Sequence, residues 1–434
     1  MKFLRRIIVF TAVLGLFVAC APIEPPVPGS ESVFPTDIPA SEPTEPSIAP
    51  TDATVEPSTL PETDPITEPE TVPTTEAATE SPTQPADPPT LMDSLTLREK
   101  VGQLFLIDPD PQIAGAPATE LTGELQWVLS EYPVGGVILF YDNIVDPAQL
   151  AAFNASLSAS TRVPMFLAVD EEGGAVARVA GHGNFDVPRY SSAASVGSEG
   201  DPEAAYQMGA AIGSYLSELG FNLDFAPVAD VHTNPANPII GNRAFSSDPE
   251  TAAALSHACA EGLTDQGIVP VFKHFPGHGD TAEDSHSDIA VSHKTLDELR
   301  SCEWLPYRDA FGCVMVGHIA LPEVLGDQTP ATFSYQIVTE DLKNELGFEG
   351  LVITDSLSMG AVTAHYTPAE AALKALEAGC DILLMPDDLP DAFEGIISAV
   401  ETGTLSMEEL DAHVAKILRF KQAHGIWSDG LPAL

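Results

Sequence analysis

Eight short apolar runs recur between Leu91 and Leu434, and their spacing constrains the fold more than any other feature of the chain. They are Gly102–Ile107, Gly136–Tyr141, Met165–Val169, Asn222–Pro227, Val269–Lys273, Cys313–Gly317, Leu351–Thr354 and Asp381–Met385. Each is short enough for a buried strand and is bounded by polar residues, Gly or Pro. Stretches with helical periodicity lie between them, among them Pro202–Leu219, Pro249–Gln266, Pro368–Ala378 and Met407–His424. Strands that alternate with helices pair in parallel through right-handed crossovers. Eight such units predict a closed (β/α)8 barrel of the TIM type rather than an open sheet, and 91–434 suits that fold in length. Val414–Lys421 reads as the last barrel helix, so no second folded domain is expected after it. No internal repeat is evident.

The segment before the barrel has a different composition. Lys2, Arg5 and Arg6 precede an uncharged apolar run from Ile7 to Val18, and Ala19-Cys20 follows. A basic start, a short apolar core and a small residue before the cut make residues 1–19 a secretory signal, too short for a membrane span. Val18-Ala19-Cys20 resembles a bacterial lipobox, which implies that Cys20 is lipidated and that the mature protein is tethered to the cell membrane with residues 91–434 outside the cytoplasm. Residues 21–90 hold 18 of the 39 prolines and 14 acidic residues, with no Lys or Arg. Such Pro/Thr/Glu/Ser mixtures bury too little apolar surface to offset chain ordering, so residues 20–90 are expected to form a disordered acidic linker. At ~3.1 Å per residue it reaches on the order of 200 Å at most.

Charge and cysteine content exclude some partners. Of the formal charge of −46, the linker carries −14 and the signal +3, which leaves −35 on residues 91–434. That field disfavours nucleic acid and anionic surfaces. Cys259, Cys302, Cys313 and Cys380 form no CxxC pair and read as isolated buried thiols; a disulfide between two of them, open to an exported chain, is not assigned by spacing.

Chemistry-bearing residues gather where the strands end. Val269–Lys273 runs into Lys273-His274-Phe275-Pro276-Gly277-His278-Gly279-Asp280-Thr281-Ala282-Glu283-Asp284-Ser285-His286. A buried strand is not expected to hold so many ionisable groups, so this stretch should be a loop facing a cleft. Asp170-Glu171-Glu172 with Arg178, Asp230 with Arg243, His318, and Asp355-Ser356 follow four other strands. Polar groups at one end of several barrel strands converge on one mouth. Carboxylates with Lys, Arg and His, and no thiol motif, suit polyol recognition, because sugar hydroxyls both donate and accept. They also suit glycosyl transfer, which needs a proton donor for the leaving oxygen and a carboxylate for the oxocarbenium-like carbon. His274 and His278 are four apart, but Pro276 and Gly277 preclude the helix that would align them as metal ligands, and no metal or cofactor is expected.

The run Lys-His-Phe-Pro-Gly-His-Gly-Asp-Thr followed by Asp-Ser-His resembles the signature of family 3 glycoside hydrolases, in the β-N-acetylglucosaminidase branch, and the resemblance extends from Leu91 to the C-terminus. It implies that Asp355 is the nucleophile and His286 the general acid/base, tuned by Asp284. Asp170, Arg178, Arg243, Lys273 and His274 match the family's sugar-binding positions. The implied activity is retaining, exo-acting release of terminal β-linked GlcNAc from peptidoglycan fragments or chitooligosaccharides, by a protein expected to be a monomer. An Asp beside imidazole stabilises the protonated ring and fixes its orientation, which suits a group that first donates and then accepts a proton. The chain departs from the family at Ala175, where Arg usually follows the Gly-Gly pair, at Ala244-Phe245-Ser246 after Arg243, and at Ser356. A β-glucosidase or β-xylosidase of the same family, transfer to phosphate, and a catalytically silent sugar-binding lipoprotein remain open alternatives at this level.

Overall fold

The computed structural model describes residues 90–282 and 288–427. The signal, Cys20 and the linker up to Pro89 lie outside the described residues, as do Asp284 and His286.

Eight parallel strands build the centre: β1 (Phe105–Ile107), β2 (Gly136–Leu139), β3 (Phe166–Val169), β4 (Leu223–Asp224), β5 (Val269–Phe275), β6 (Cys313–Val316), β7 (Leu351–Thr354) and β8 (Leu383–Leu384). Their order around the sheet is β7-β6-β5-β4-β3-β2-β1-β8, and a parallel bridge from Ile353 to Ile382 joins the two ends. The chain is therefore a (β/α)8 barrel. Every residue of β1, β2, β3, β5, β6 and β7 is buried, as expected of strands covered by helices on one side and by the barrel interior on the other. Antiparallel residues Glu171–Gly173 and Val176–Ala177 form a small hairpin just after β3.

The outer helices start where their caps dictate. Asp201 and Asp248 accept backbone N–H bonds at the heads of Pro202–Glu218 and Pro249–Asp265, each with Pro in the first turn. Thr367 with Glu370, and Ser406 with Glu409, close capping boxes on Pro368–Ala378 and Met407–Ala423. Pro202–Glu218 and Pro249–Asp265 lie against each other so closely that a Cβ on Gly209 would meet the Cys259 carbonyl oxygen at 2.0 Å. The four cysteines of the described residues are free thiols, three buried and Cys302 half-buried.

Several strands differ in extent from the apolar runs that mark them. Gly102 ends the helix Leu97–Gly102 instead of opening β1, because the Thr96–Glu99 capping box starts a helix that runs through it. β4 keeps only two residues of Asn222–Pro227: Asn222 uses its side chain to bond the Leu167 N–H and the Met165 carbonyl, and Pro227 has no N–H to donate. β8 is likewise short. The Asp381 carboxylate, not a backbone carbonyl, accepts the Val352 N–H, and Met385 turns into left-handed backbone at φ 48°.

β5 departs furthest from the apolar run that marks it, Val269–Lys273. It continues through Lys273 and His274 to Phe275, so both ionisable residues belong to a buried strand, at 3 % and 6 % exposure. The strand tolerates them because each meets a carboxylate within hydrogen-bonding distance.

Candidate active site

At the C-terminal ends of the strands lies a cavity of about 490 Å3, whose lining includes Asp170, Arg178, Arg243, Lys273, His274 and Asp355. Six of the eight catalytic and sugar-binding residues expected from the sequence thus converge on one pocket; Asp284 and His286, in residues 283–287, lie outside the described residues.

One wall is a chain of opposite charges. Lys273 Nζ lies 2.6 Å from Asp170 Oδ1 and 2.7 Å from Glu172 Oε1. Arg243 donates from Nε and Nη2 to the two Glu172 oxygens at 2.8 and 2.7 Å, a bidentate pair. Arg178 Nη2 stands 3.8 Å from Asp170 Oδ2, its guanidinium 5.5 Å from the centre of the Phe140 ring. Burial would raise the Glu172 carboxyl, but Lys273 and Arg243 outweigh it and hold the group well below the usual carboxylate range. Burial likewise pulls Lys273 down, while Asp170 and Glu172 win and keep the ammonium above its ordinary value. Glu172 and Lys273 therefore face each other as an ion pair at neutral pH.

Glu172 had no role in the sequence reading, yet it joins two of the predicted sugar-binding residues. The signal lay in strand periodicity: residues two apart on extended backbone share a face. Asp170 and Glu172 turn towards the pocket. Glu171 turns away and is buried, accepting from the N–H groups of Val179 and Ala180 and from the Tyr215 hydroxyl.

A second wall is built on Asp230. Its Oδ2 lies 2.7 Å from His274 Nδ1, and its Oδ1 accepts the His278 N–H at 2.6 Å. Burial raises this carboxyl, but His274 and the His278 contacts prevail and lower it below the usual range. A carboxylate at Nδ1 fixes that nitrogen as the donor, so His274 presents Nε2 to the pocket. The His274 and His278 rings meet edge to face, with centroids 5.8 Å apart. Gly279 brings the loop after β5 against the segment after β4; a Cβ there would stand 1.9 Å from the Val231 carbonyl oxygen.

Asp355 follows β7 directly, and Oδ1 accepts the Ser356 N–H at 2.7 Å. Burial alone would raise its carboxyl. His318, His274, the Ser356 N–H and Lys273 outweigh burial and hold it below its ordinary value. His318, lowered by its own burial, contributes at neutral pH as a dipole. Its Nε2 lies 2.9 Å from the Ser356 carbonyl oxygen, which can only accept, so the proton resides on Nε2 and the Thr332 hydroxyl faces Nδ1 at 2.9 Å. His318 thus braces the turn that carries Asp355. Asp230, His278 and His318 were visible as strand-end residues, but Asp230 meets His274 and His278 from the next strand and His318 meets the Ser356 carbonyl, pairings that no local pattern marks.

An ionised carboxylate facing a pocket of hydroxyl-matching donors and acceptors, at the mouth of a barrel, is the equipment of a glycoside hydrolase. Residues 96–420 match the description "Glycosyl hydrolase family 3 N terminal domain". The chain belongs to glycosyl hydrolase family 3. It is 34 % identical over 369 residues to beta-hexosaminidase A of Pseudoalteromonas piscicida, covering 75 % of this chain and 61 % of that protein. With the beta-hexosaminidase of Bordetella avium it shares 35 % identity over 300 residues, 67 % of this chain and 85 % of the relative. The solved family 3 β-N-acetylglucosaminidase of Paenibacillus sp. superposes with a TM-score of 0.72 at 34 % identity, over 78 % of this chain and 66 % of that one. The chain thus spans less than two thirds of the first and third of these proteins.

Proposed function

We propose that this protein is an exported, membrane-tethered, retaining exo-β-N-acetylglucosaminidase acting on GlcNAc-containing oligosaccharides. Asp355 attacks the anomeric carbon, forming a covalent glycosyl-enzyme while His286 protonates the departing oxygen. Water then attacks the same carbon and gives its proton to His286, and the Asp355 ester bond breaks, so configuration is retained. Asp284 orients and tunes His286. Lys273, His274, Arg243, Arg178 and Asp170 hold the sugar hydroxyls. The observation that carries this reading is the Asp355 carboxyl, held below its ordinary pKa at the foot of the pocket with Oδ1 fixed by the Ser356 N–H. The names of the relatives support the specificity.

Hydrolysis of nitrophenyl-β-GlcNAc and nitrophenyl-β-glucoside by the purified protein tests it. The expected result is a kcat/KM at least about 100-fold higher on the GlcNAc substrate, near the upper range that a single set of pocket contacts discriminates. A preference for the glucoside would keep the mechanism and overturn the specificity; inactivity on both would overturn the enzyme. For the tether, Cys20→Ala is expected to release the protein from the membrane fraction, and retention there would contradict it.

A further inference from the structure

The pocket that holds Asp355 is not isolated on the barrel rim. A second cavity, of about 270 Å3, adjoins it where β7 and β8 end and shares Ser358 and Met385 with it. A third, of about 300 Å3, adjoins the second and shares Pro111, Gln112 and Asp387 with that one. Together they make a continuous furrow that leaves the active site across β8 and β1 and runs between the helices Gly123–Glu131 and Leu389–Thr402. Trp127, on the first of these helices, lines its far end at 61 % exposure, the most exposed large apolar residue among those described.

A single exposed aromatic on a protein surface needs no explanation. One that lines a furrow continuous with a sugar pocket does. Pyranose rings carry apolar C–H faces, and an indole offers a broad, rigid surface on which they stack. The charges along the furrow narrow the choice of ligand. Asp108, Asp387 and Asp388 line it, and among the described residues no Lys or Arg does. Arg98 lies nearby over the Tyr132 ring, but its charge is spent on Glu394 at 2.7 Å. Carboxylates accept hydrogen bonds from sugar hydroxyls and repel an anion.

We propose that this furrow is the aglycone track of the enzyme, and that it takes neutral β-linked GlcNAc oligomers, stacked at its far end on Trp127, in preference to glycans with a carboxylate beyond the cleaved bond. The inference rests on the hexosaminidase reading and narrows its substrate class from two candidates to one.

The test is kcat/KM on chitin oligomers from dimer to hexamer, beside the GlcNAc-MurNAc disaccharide as free acid and as methyl ester. Wild type is expected to gain about tenfold between dimer and hexamer, and Trp127→Ala to flatten that rise. The methyl ester should be cleaved several-fold faster than the acid, with the gap closing in Asp387→Asn/Asp388→Asn or at high salt. A length-independent wild type, a rise that survives Trp127→Ala, or an acid cleaved as fast as its ester overturns the proposal. Failure here with nitrophenyl-β-GlcNAc still cleaved condemns the furrow alone, whereas loss of that activity condemns the function on which it rests.

Discussion

The two ends of the barrel both bury charge, and they spend it differently. At the base, Lys421 is fully buried and gives its N–H bonds to Gln103 Oε1, the Gly135 carbonyl and the Pro164 carbonyl at 2.8–2.9 Å. Those acceptors lie just before β1, β2 and β3, so one side chain of the last helix ties three strand starts together. Burial pulls the Lys421 pKa down to about 7, while three acceptors around one nitrogen favour the ammonium, the only form that can donate to all of them. Asp381, also at the base, meets Lys416 at 2.8 Å, Lys343 and His413 at 3.6 Å, and the Val352 N–H at 2.8 Å. The hydrogen-bonding capacity of these two groups is used up within the protein. Among the described residues at the mouth, Lys273 engages two carboxylates, Arg178 Nε is buried without a partner, and Asp355 has a hydrogen bond at Oδ1 alone. Charge whose valence is spent stabilises the barrel, whereas charge with valence left over faces a ligand.

Removing a mouth charge should therefore cost activity before stability, and removing a base charge the reverse. Glu172→Gln strips the bidentate partner from Arg243 and one of two anions from Lys273. The expected loss is about 10²-fold in kcat/KM on nitrophenyl-β-GlcNAc, in line with misplacing groups that orient a substrate. Its melting temperature should fall less than that of Lys421→Met, because Lys273 keeps Asp170 as a partner. An unfolding midpoint that collapses while the folded fraction stays active would reverse the assignment. Lys421→Met, nearly matched in volume, takes a donor from three buried acceptors, of which the Gly135 carbonyl keeps the Phe166 N–H, and should lower stability by about 3 kcal/mol in denaturant titration. Its kcat and KM at low temperature should match wild type within a factor of about two, an allowance smaller than the tenfold that 1.4 kcal/mol would give. A Lys421→Met enzyme that is stable yet slow would break the comparison from the other side.

How far the sequence reading reached follows the same division. The alternation of apolar runs and capped helices fixes the barrel because strand and helix periodicity are local. The polar residues after the strands could be assigned to one mouth because parallel strands all end on the same side. Pairing across strands was not legible. Lys273 and His274 look like loop residues until Asp170, Glu172 and Asp230, brought from other strands, are seen to neutralise them. Glu172 is the instructive miss, since alternation from Asp170 already set it on the same face. Lys421 reads as one more polar residue of an amphipathic helix; its partners lie 257 to 318 residues away in sequence, and only the folded barrel brings them together.

The claim on which the rest depends is that Asp355 forms the covalent intermediate. A slow GlcNAc-type substrate with an activated leaving group should trap it, and mass spectrometry of the digested protein reads the site directly. The account predicts one glycosyl adduct, on the peptide that contains Asp355 and absent from Asp355→Ala. Inactivation with the sugar on another residue, or turnover with inverted configuration and no adduct, would contradict it.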